Sequence, residues 1–361
     1  MRHSPWVALV VSLCCVAACE PGPEGLKAVR VGFPNEAGLG TAAIDSGGRA
    51  FVSVNDRLWE LTGRLEDDSQ VWVNLDGYGG WALGWFAAPG YGAHASSPAN
   101  EWVSLVTPGA RRFPSRAESG AAVVRLLLVE PDGTGLASYT SATSGHALAR
   151  LPPGETTWQL LAGTAQPQGN YSSAVRLADG RVFAAHGSRV FELPPGLASA
   201  TVAFDCNTRE LGTCGTRASL AGLLRPLPDG RLVLLVSNPQ VEVYAFKPGD
   251  AKLTRLATLG LGGTDVNGQV YGGSVGQLAV DKQGTVFVLA RTEQSGGEIH
   301  LLAHRLGARE DEWVTAVTGL PRVMTLLQDD AGTMWLWDGS DSRQGLFKVV
   351  PRTVTCTVCG E

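Results

Sequence analysis

Several large classes of protein are excluded by what this sequence has little of. Charged residues make up only 17% of 361, no Lys/Arg cluster occurs, and the formal net charge is −5. That balance argues against nucleic acid as a partner, because phosphate binding needs a concentrated basic surface. No apolar run reaches the roughly 20 residues of a membrane-spanning helix. The run over 6–18 has 13 residues, and the one over 121–129 is broken by Arg125. No Gly-rich run ends in Lys-Ser or Lys-Thr, so no phosphate loop is present. Helical periodicity is almost missing. Glycine, in contrast, is plentiful at 46 residues, which suits many short strands and tight turns.

The first residues read as an export signal. Arg2 and His3 precede the short apolar run, which ends in Val16-Ala17-Ala18-Cys19. Small residues just before a cysteine resemble the lipobox of bacterial lipoproteins. The resemblance implies cleavage before Cys19 and a diacylglycerol on its thiol. An ordinary signal peptide or an uncleaved anchor is the alternative. Glu20 rather than Asp follows the cysteine, which on the enteric rule implies the periplasmic side of the outer membrane rather than the inner membrane. The expected organisation is a lipoprotein signal peptide over 1–18, the lipidated cysteine and a tether over 19–25, a repeat domain over 26–351 and a tail over 352–361. The tether Glu20-Pro21-Gly22-Pro23-Glu24-Gly25 has no apolar residue to bury.

Internal repetition decides the fold. An apolar strand, a turn with Asp or Pro next to Gly, and a second apolar strand recur at Asp45, Pro89-Gly90, Asp132, Asp179, Asp229, Asp281 and Asp330, in steps of 43 to 52 residues. A carboxylate can accept backbone N–H groups just ahead of it, and the following Gly supplies the positive φ of a tight hairpin. A further hairpin and an outer strand follow most markers, giving four antiparallel strands per repeat. A lone sheet of this kind cannot bury both apolar faces, whereas seven packed radially can. The sequence therefore predicts an all-β, seven-bladed β-propeller, in preference to a sandwich array or a solenoid. Its phase leaves Leu26–Val31 ahead of the first inner strand, so this segment is expected to supply the missing outer strand of the last blade; the rival is 353–358. The D-x-x-G-x-x-F and D-G-R-V-F hairpins resemble NHL-like, gluconolactonase-like and two-component-sensor propellers. The Trp-Asp signature of WD repeats occurs once, at Trp337-Asp338.

Binding residues in such a fold are expected on the irregular loops entering the inner strands. The polar and aromatic candidates there are Tyr78, Trp81, Asn170, Tyr171, Arg217, Asp265, Asn267, Tyr271 and Arg322. Lactonases of the gluconolactonase-like group hold a divalent cation with inward carboxylates and amides. Asp265 with Asn267 is the only local acid/amide pair here, and no metal or other cofactor is expected. His300 and His304 share a strand face about 13 Å apart, too far for one ion, while His94, His146 and His186 fall in separate blades. Gly272-Gly273-Ser274-Val275-Gly276 matches a nucleophile elbow in letters, but a strand rather than a helix is expected after it. Of the remaining cysteines, Cys206 with Cys214 and Cys356 with Cys359 are the simplest disulfide pairs in an oxidising compartment; a redox-active C-x-x-C or a four-thiolate zinc site is the alternative.

The leading functional expectation is a membrane-tethered, non-enzymatic binding or scaffold propeller of the cell envelope. Its lipid would hold it on the membrane and its partner would be an envelope protein or glycan. The alternative is a metal-dependent lactonase, hydrolase or lyase using Asp265 and Asn267. The tryptophan docking repeats and adjacent-cysteine pair of quinone-cofactor dehydrogenases are missing.

Overall fold

The computed structural model describes residues 23–31, 40–45, 47–54, 57–62, 71–75, 82–83, 94–96, 101–104, 112–114, 122–141, 145–166, 169–187, 189–205, 219–238, 240–250, 253–259, 263–266, 270–292, 298–320, 324–329, 331–338 and 345–351. The signal-like run, Cys19, Cys206, Cys214, Cys356 and Cys359 lie outside them.

The first strand, β1 (Leu26–Val31), takes no part in the first sheet. The first sheet is β2 (Gly40–Ile44), β3 (Ala50–Val54), β4 (Arg57–Thr62) and β5 (Val71–Asn74). The second is β6 (Ala82–Leu83), β7 (His94–Ser96), β8 (Glu101–Ser104) and β9 (Arg112–Pro114). The third is β10 (Ala122–Val129), β11 (Gly135–Ser141), β12 (Gly145–Leu151) and β13 (Gln159–Leu160). The fourth is β14 (Tyr171–Arg176), β15 (Val182–His186), β16 (Arg189–Leu193) and β17 (Thr201–Asp205). The fifth is β18 (Ser219–Pro226), β19 (Leu232–Asn238), β20 (Gln240–Phe246) and β21 (Thr254–Leu259). The sixth is β22 (Gly263–Thr264), β23 (Val270–Val280), β24 (Val286–Thr292), β25 (Ile299–His304) and β26 (Val314–Leu320). The last is β27 (Met324–Gln328), β28 (Met334–Asp338) and β29 (Gly345–Pro351), completed by β1 in the order β1-β29-β28-β27.

This is an all-β propeller of antiparallel, mostly four-stranded blades. The expectation of four strands in every blade needs one correction. Six described sheets have four strands, and the sheet β22-β23-β24-β25-β26 has five. The connection before β23 is long enough to form its own hairpin, with Gly263 opposite Tyr271 and Thr264 opposite Val270. The closing strand is the N-terminal one: Leu26 faces Pro351 and Val31 faces Leu346. Gly272 to Gly276 lie within β23, with strand on both sides, so no nucleophile elbow forms there.

The hairpin from inner to second strand is built the same way six times. The first residue, Asp45, Glu130, Leu177, Leu227, Asp281 or Asp329, donates its N–H to the carbonyl of the fifth. The fourth is always glycine, with φ between 81° and 90° at Gly48, Gly133, Gly180, Gly230, Gly284 and Gly332. The fifth residue's N–H points into the turn and needs an acceptor, and a carboxylate supplies it from one of two positions. Asp45, Asp281 and Asp329 reach forward four residues, to Arg49, Thr285 and Thr333, at 2.7 to 2.8 Å. Asp132, Asp179 and Asp229 reach forward two, to Thr134, Arg181 and Arg231, at 2.7 to 3.1 Å. The turn acid of the last sheet is therefore Asp329 rather than Asp330, which lies outside the described residues. In three turns the fifth residue is Arg, and in two of them its hydrogen bond back to Asp179 or Asp229 holds that carboxyl below its usual range.

The core lies between sheets rather than inside any one of them. Along β19, Leu232 and Leu234 pack with Val175 and Phe183 of the fourth sheet, while Val233 and Leu235 pack with Leu278 and Val288 of the sixth. Both faces of the strand are buried, which explains its unbroken apolar run. The same sharing joins the sixth sheet to the last through Phe287 and Leu336, and the last to the first through Trp335, Trp337, Ile44 and Val31. Two indoles tie neighbouring outer strands together. Trp158 Nε1 donates to the Pro114 carbonyl at 2.7 Å, and Trp313 Nε1 donates to the Thr258 carbonyl at 2.9 Å.

Two substitutions test this packing by chemical denaturation. A Cβ at Gly135 would overlap the ring of Phe113, so Gly135→Ala is expected to cost about 1–3 kcal/mol through overpacking. Val31 is fully buried in the layer that closes the ring. Val31→Ala is expected to cost on the order of 2 kcal/mol, and an unchanged midpoint would show that β1 is dispensable.

Candidate functional site

Of the candidates chosen on the loops into the inner strands, Asn170, Tyr171, Asp265 and the backbone of Tyr271 are among the described residues. Asn170 is exposed, and its Oδ1 lies 2.7 Å from His146 Nδ1. The loop before it is held from two sheets at once. Backbone bonds join Gln166 to His146 of β12 in both directions, and His186 Nε2, at the end of β15, donates to the Gly169 carbonyl at 2.9 Å. Arg189 donates to Gln166 Oε1 at 3.0 Å and to Asp205 Oδ2 at 2.7 Å. His146 and His186 do belong to different sheets, as the repeat implied, but they meet on one loop. Their bonds fix that loop's shape.

Tyr171 is not a surface residue, which corrects its place among the candidates. It is fully buried, its hydroxyl donates to the Thr164 carbonyl at 2.7 Å, and its ring lies 4.8 Å from that of His186 and 5.4 Å from that of Phe191. Burial pushes its phenol pKa up. The first residue of β14 points between sheets rather than toward the loops, and an aromatic ring there fills the shared layer.

Asp265 is also committed elsewhere. It is 5% exposed, and Thr315 of β26 donates its hydroxyl to the carboxylate. The adjacent Val266 N–H donates to the Trp313 carbonyl at 2.8 Å. The carboxylate thus fastens the segment after β21 to the outer strand of the sixth sheet, where a metal-dependent reaction would need it open to substrate. Tyr78, Trp81, Arg217, Asn267 and Arg322 lie outside the described residues. Tyr271 is placed opposite Thr292 by register. His300 and His304 are buried on β25. His304 Nδ1–H donates to the Glu312 carbonyl at 3.0 Å, and its ring lies 5.4 Å from that of Trp313.

A cleft of about 820 Å³ opens on the opposite face, where the sixth and last sheets present their glycine turns. That volume falls in the range of sites that enclose a ligand or a short peptide segment. Five separate stretches of chain line it: Pro23 and Leu26, Asp281 to Phe287, Arg305 and Leu306, Ala331 to Met334, and Lys348 to Pro351. Its apolar residues are Leu26, Phe287, Leu306, Met334, Val349 and Val350, and Leu306 is 38% exposed although large and apolar. Its charged residues are Lys282, Arg305 and Lys348 against one acid, Asp281. The Asp281 carboxylate is occupied by the N–H groups of Thr285 and Gln283, and burial raises its pKa. Lys348 Nζ sits 5.3 Å from the centre of the Trp335 ring, within cation–π range. The cleft is thus an apolar floor with a cationic rim. Sequence reasoning missed it because its residues are scattered over the two chain ends and three turns. The one local signal was Leu306, an apolar side chain beside a turn glycine.

No protein-family profile matches the chain, and neither does any curated protein sequence. Solved structures do resemble it. YCF48 bound to D1 peptide superposes with a TM-score of 0.53 at 15% identity over 92% of this chain and 98% of that one. YCF48 from Cyanidioschyzon merolae gives 0.53 at 13% identity, over 91% and 99%. The extracellular domain of the one-component system BT4673 from B. thetaiotaomicron gives 0.50 at 12% identity, over 88% of this chain and 39% of that one. At these identities the likeness shows the propeller fold.

Two outcomes are expected from the buried polar groups. Asp265→Ala leaves the Thr315 hydroxyl without this acceptor and should lower stability by about 1–3 kcal/mol in urea. His304 has its pKa lowered by burial. Its neutral form therefore contributes stability that is present above the unfolded histidine pKa of about 6.5 and lost as pH falls through the lower folded value. Melting temperature should fall between pH 7.5 and pH 5, and His304→Gln should show a shallower fall. Parallel curves would assign the acid sensitivity elsewhere.

Proposed function

We propose that this chain is a membrane-tethered, non-enzymatic binding propeller of the bacterial cell envelope, and that its cleft holds an extended, acidic segment of a protein partner. In this reading the six four-stranded sheets and the five-stranded one are the seven blades of a single closed ring. Cys19 carries the lipid, on the periplasmic side of the outer membrane, and the cysteine pairs 206–214 and 356–359 are disulfides. The observation that carries the proposal is the cleft itself. Its floor offers apolar anchorage, its rim is cationic, and the one carboxylate on it is consumed by a turn. Charge of one sign around an apolar floor selects partners of the opposite sign and speeds their encounter. A propeller of the same fold, YCF48, has been solved with a D1 peptide bound, so the scaffold is compatible with a peptide ligand.

The tether gives the cleft a position. Pro23 and Leu26 line it, and an extended chain spans at most about 3.6 Å per residue. A lipid on Cys19 would therefore lie within about 15 Å of Pro23. The cleft would face the membrane, and its partner would be a membrane protein or one held close to the bilayer.

A photo-crosslinking residue in place of Leu306 tests the reading in cells, with Val202, 51% exposed on β17, as the control. The expected result is a discrete protein adduct from position 306 and none from 202. Arg305→Glu with Lys348→Glu should reduce that adduct at least fivefold without lowering the melting temperature by more than a few degrees. Equal adducts from both positions, or adducts insensitive to charge reversal, would overturn the cleft as the site. Cys19→Ser should move the protein from the membrane to the soluble fraction.

A further inference from the structure

A second, smaller cavity of about 270 Å³ lies where the inner strands of the fifth, sixth and last sheets end. The end of β18 supplies Arg225 to Pro228, the end of β23 supplies Val280 to Lys282, and β27 with its turn supplies Gln328, Asp329 and Gly332. Arg225 is the unusual member. It is 5% exposed, and burial lowers its guanidinium pKa to about 10. A guanidinium carries five N–H donors. Here one nitrogen, Nη1, donates to the Leu224 carbonyl at 2.9 Å, while the buried Nε has no partner.

No carboxylate among the described residues lies within ion-pair distance of Arg225. The acids on the cavity wall are already in use. Asp281 accepts the N–H groups of Thr285 and Gln283, and Asp329 accepts that of Thr333. Gln328 spends both ends of its amide on the backbone of Val280, accepting from the N–H and donating to the carbonyl. The other cation on the wall, Lys282, is exposed. Burying a charge without a partner is costly, and a buried arginine is ordinarily matched by a carboxylate or phosphate in fork geometry. This one has the buried fork and an adjoining cavity, and no carboxylate among the described residues pairs with it.

We infer that this cavity is a binding site for a small oxyanion, a carboxylate of a few carbons or a phosphate group, with Arg225 as its buried anchor. The planar guanidinium presents paired donors to two oxygens of one ligand. The volume admits such an ion with a few waters. The inference does not rest on the peptide reading of the cleft, although Asp281, Lys282 and Gly332 form a wall common to both spaces.

The test is a thermal melt of the full chain, purified in mild detergent, titrated with inorganic phosphate, acetate or succinate, with chloride at equal ionic strength as the control. The expected result is a saturable rise in melting temperature with phosphate or with a carboxylate, and none with chloride. The arm that responds identifies the anion. Arg225→Met should abolish the rise and leave the ligand-free protein at least as stable as the parent, because the uncompensated charge is gone. Arg225→Lys should retain only part of the response, since the fork is lost. A rise that persists in Arg225→Met, or no saturable rise with any probe, would overturn the inference. Should Arg225→Met fail to fold, the Arg Nε–H resonances of the unaltered chain give a second readout. One slowly exchanging signal should shift saturably with the responding anion, and a spectrum unmoved by all three would overturn it equally.

Discussion

Every apolar layer among the described residues is owned by two sheets. β19 shows the dependency most plainly: its even-numbered leucines belong to one layer and its odd-numbered residues to the next. A single sheet removed from its neighbours would expose two apolar faces, with only three hydrogen-bonded ladders to offset the cost of ordering it. Stability therefore resides in the contacts between repeats, and each sheet is a template for the next. The inter-sheet polar bonds follow the same logic. Trp158, Trp313 and Gln328 each have one end in one sheet and a partner in another.

The fold was legible because the turn chemistry is local. A hairpin needs one residue at positive φ and one acceptor for the N–H that follows it, and both fall within five residues of sequence. The repeat could thus be read from glycines and acids alone, and the closing strand followed from counting what was left over at each end. The phase was less clean for a physical reason. The same N–H is reached by an acid four residues back or two residues back, so a row of aspartates does not mark equivalent positions. Asp281 and Asp229 look alike in sequence and stand two places apart in the turn. The extra strand β22 was not legible either, since a two-residue pairing leaves no periodicity to detect.

The sites were harder to read, and the errors have a common cause. Tyr171 and Asp265 were singled out as polar or aromatic residues beside irregular loops; Tyr171 points into a layer between sheets, and Asp265 is buried against Thr315 of its own sheet. In a propeller the boundary of an inner strand is also the boundary of a shared layer. A large side chain there has two destinations that sequence does not distinguish. The cleft and the Arg225 cavity, in turn, are made by turns, which sequence reasoning had assigned to structure alone. Asp281 and Lys282 belong to a turn and to the walls of both spaces at once. A residue can close a hairpin with its carboxylate and still shape a site with its backbone.

The pairing of Leu26 with Pro351 also sets a timetable. β1 precedes every other described strand and pairs with the last of them, so it waits as an unsatisfied edge while all the strands between are made. Contacts this distant in sequence carry a high loop-closure cost and make folding slow. The waiting segment is also a risk, because an idle strand will pair with whatever edge it meets, including that of another nascent chain. The exposed Lys27 and Arg30 on this strand work against that outcome, since charge on a free edge discourages unintended pairing. The ring cannot lock early around a wrong neighbour, and a chain truncated before β29 advertises its own incompleteness.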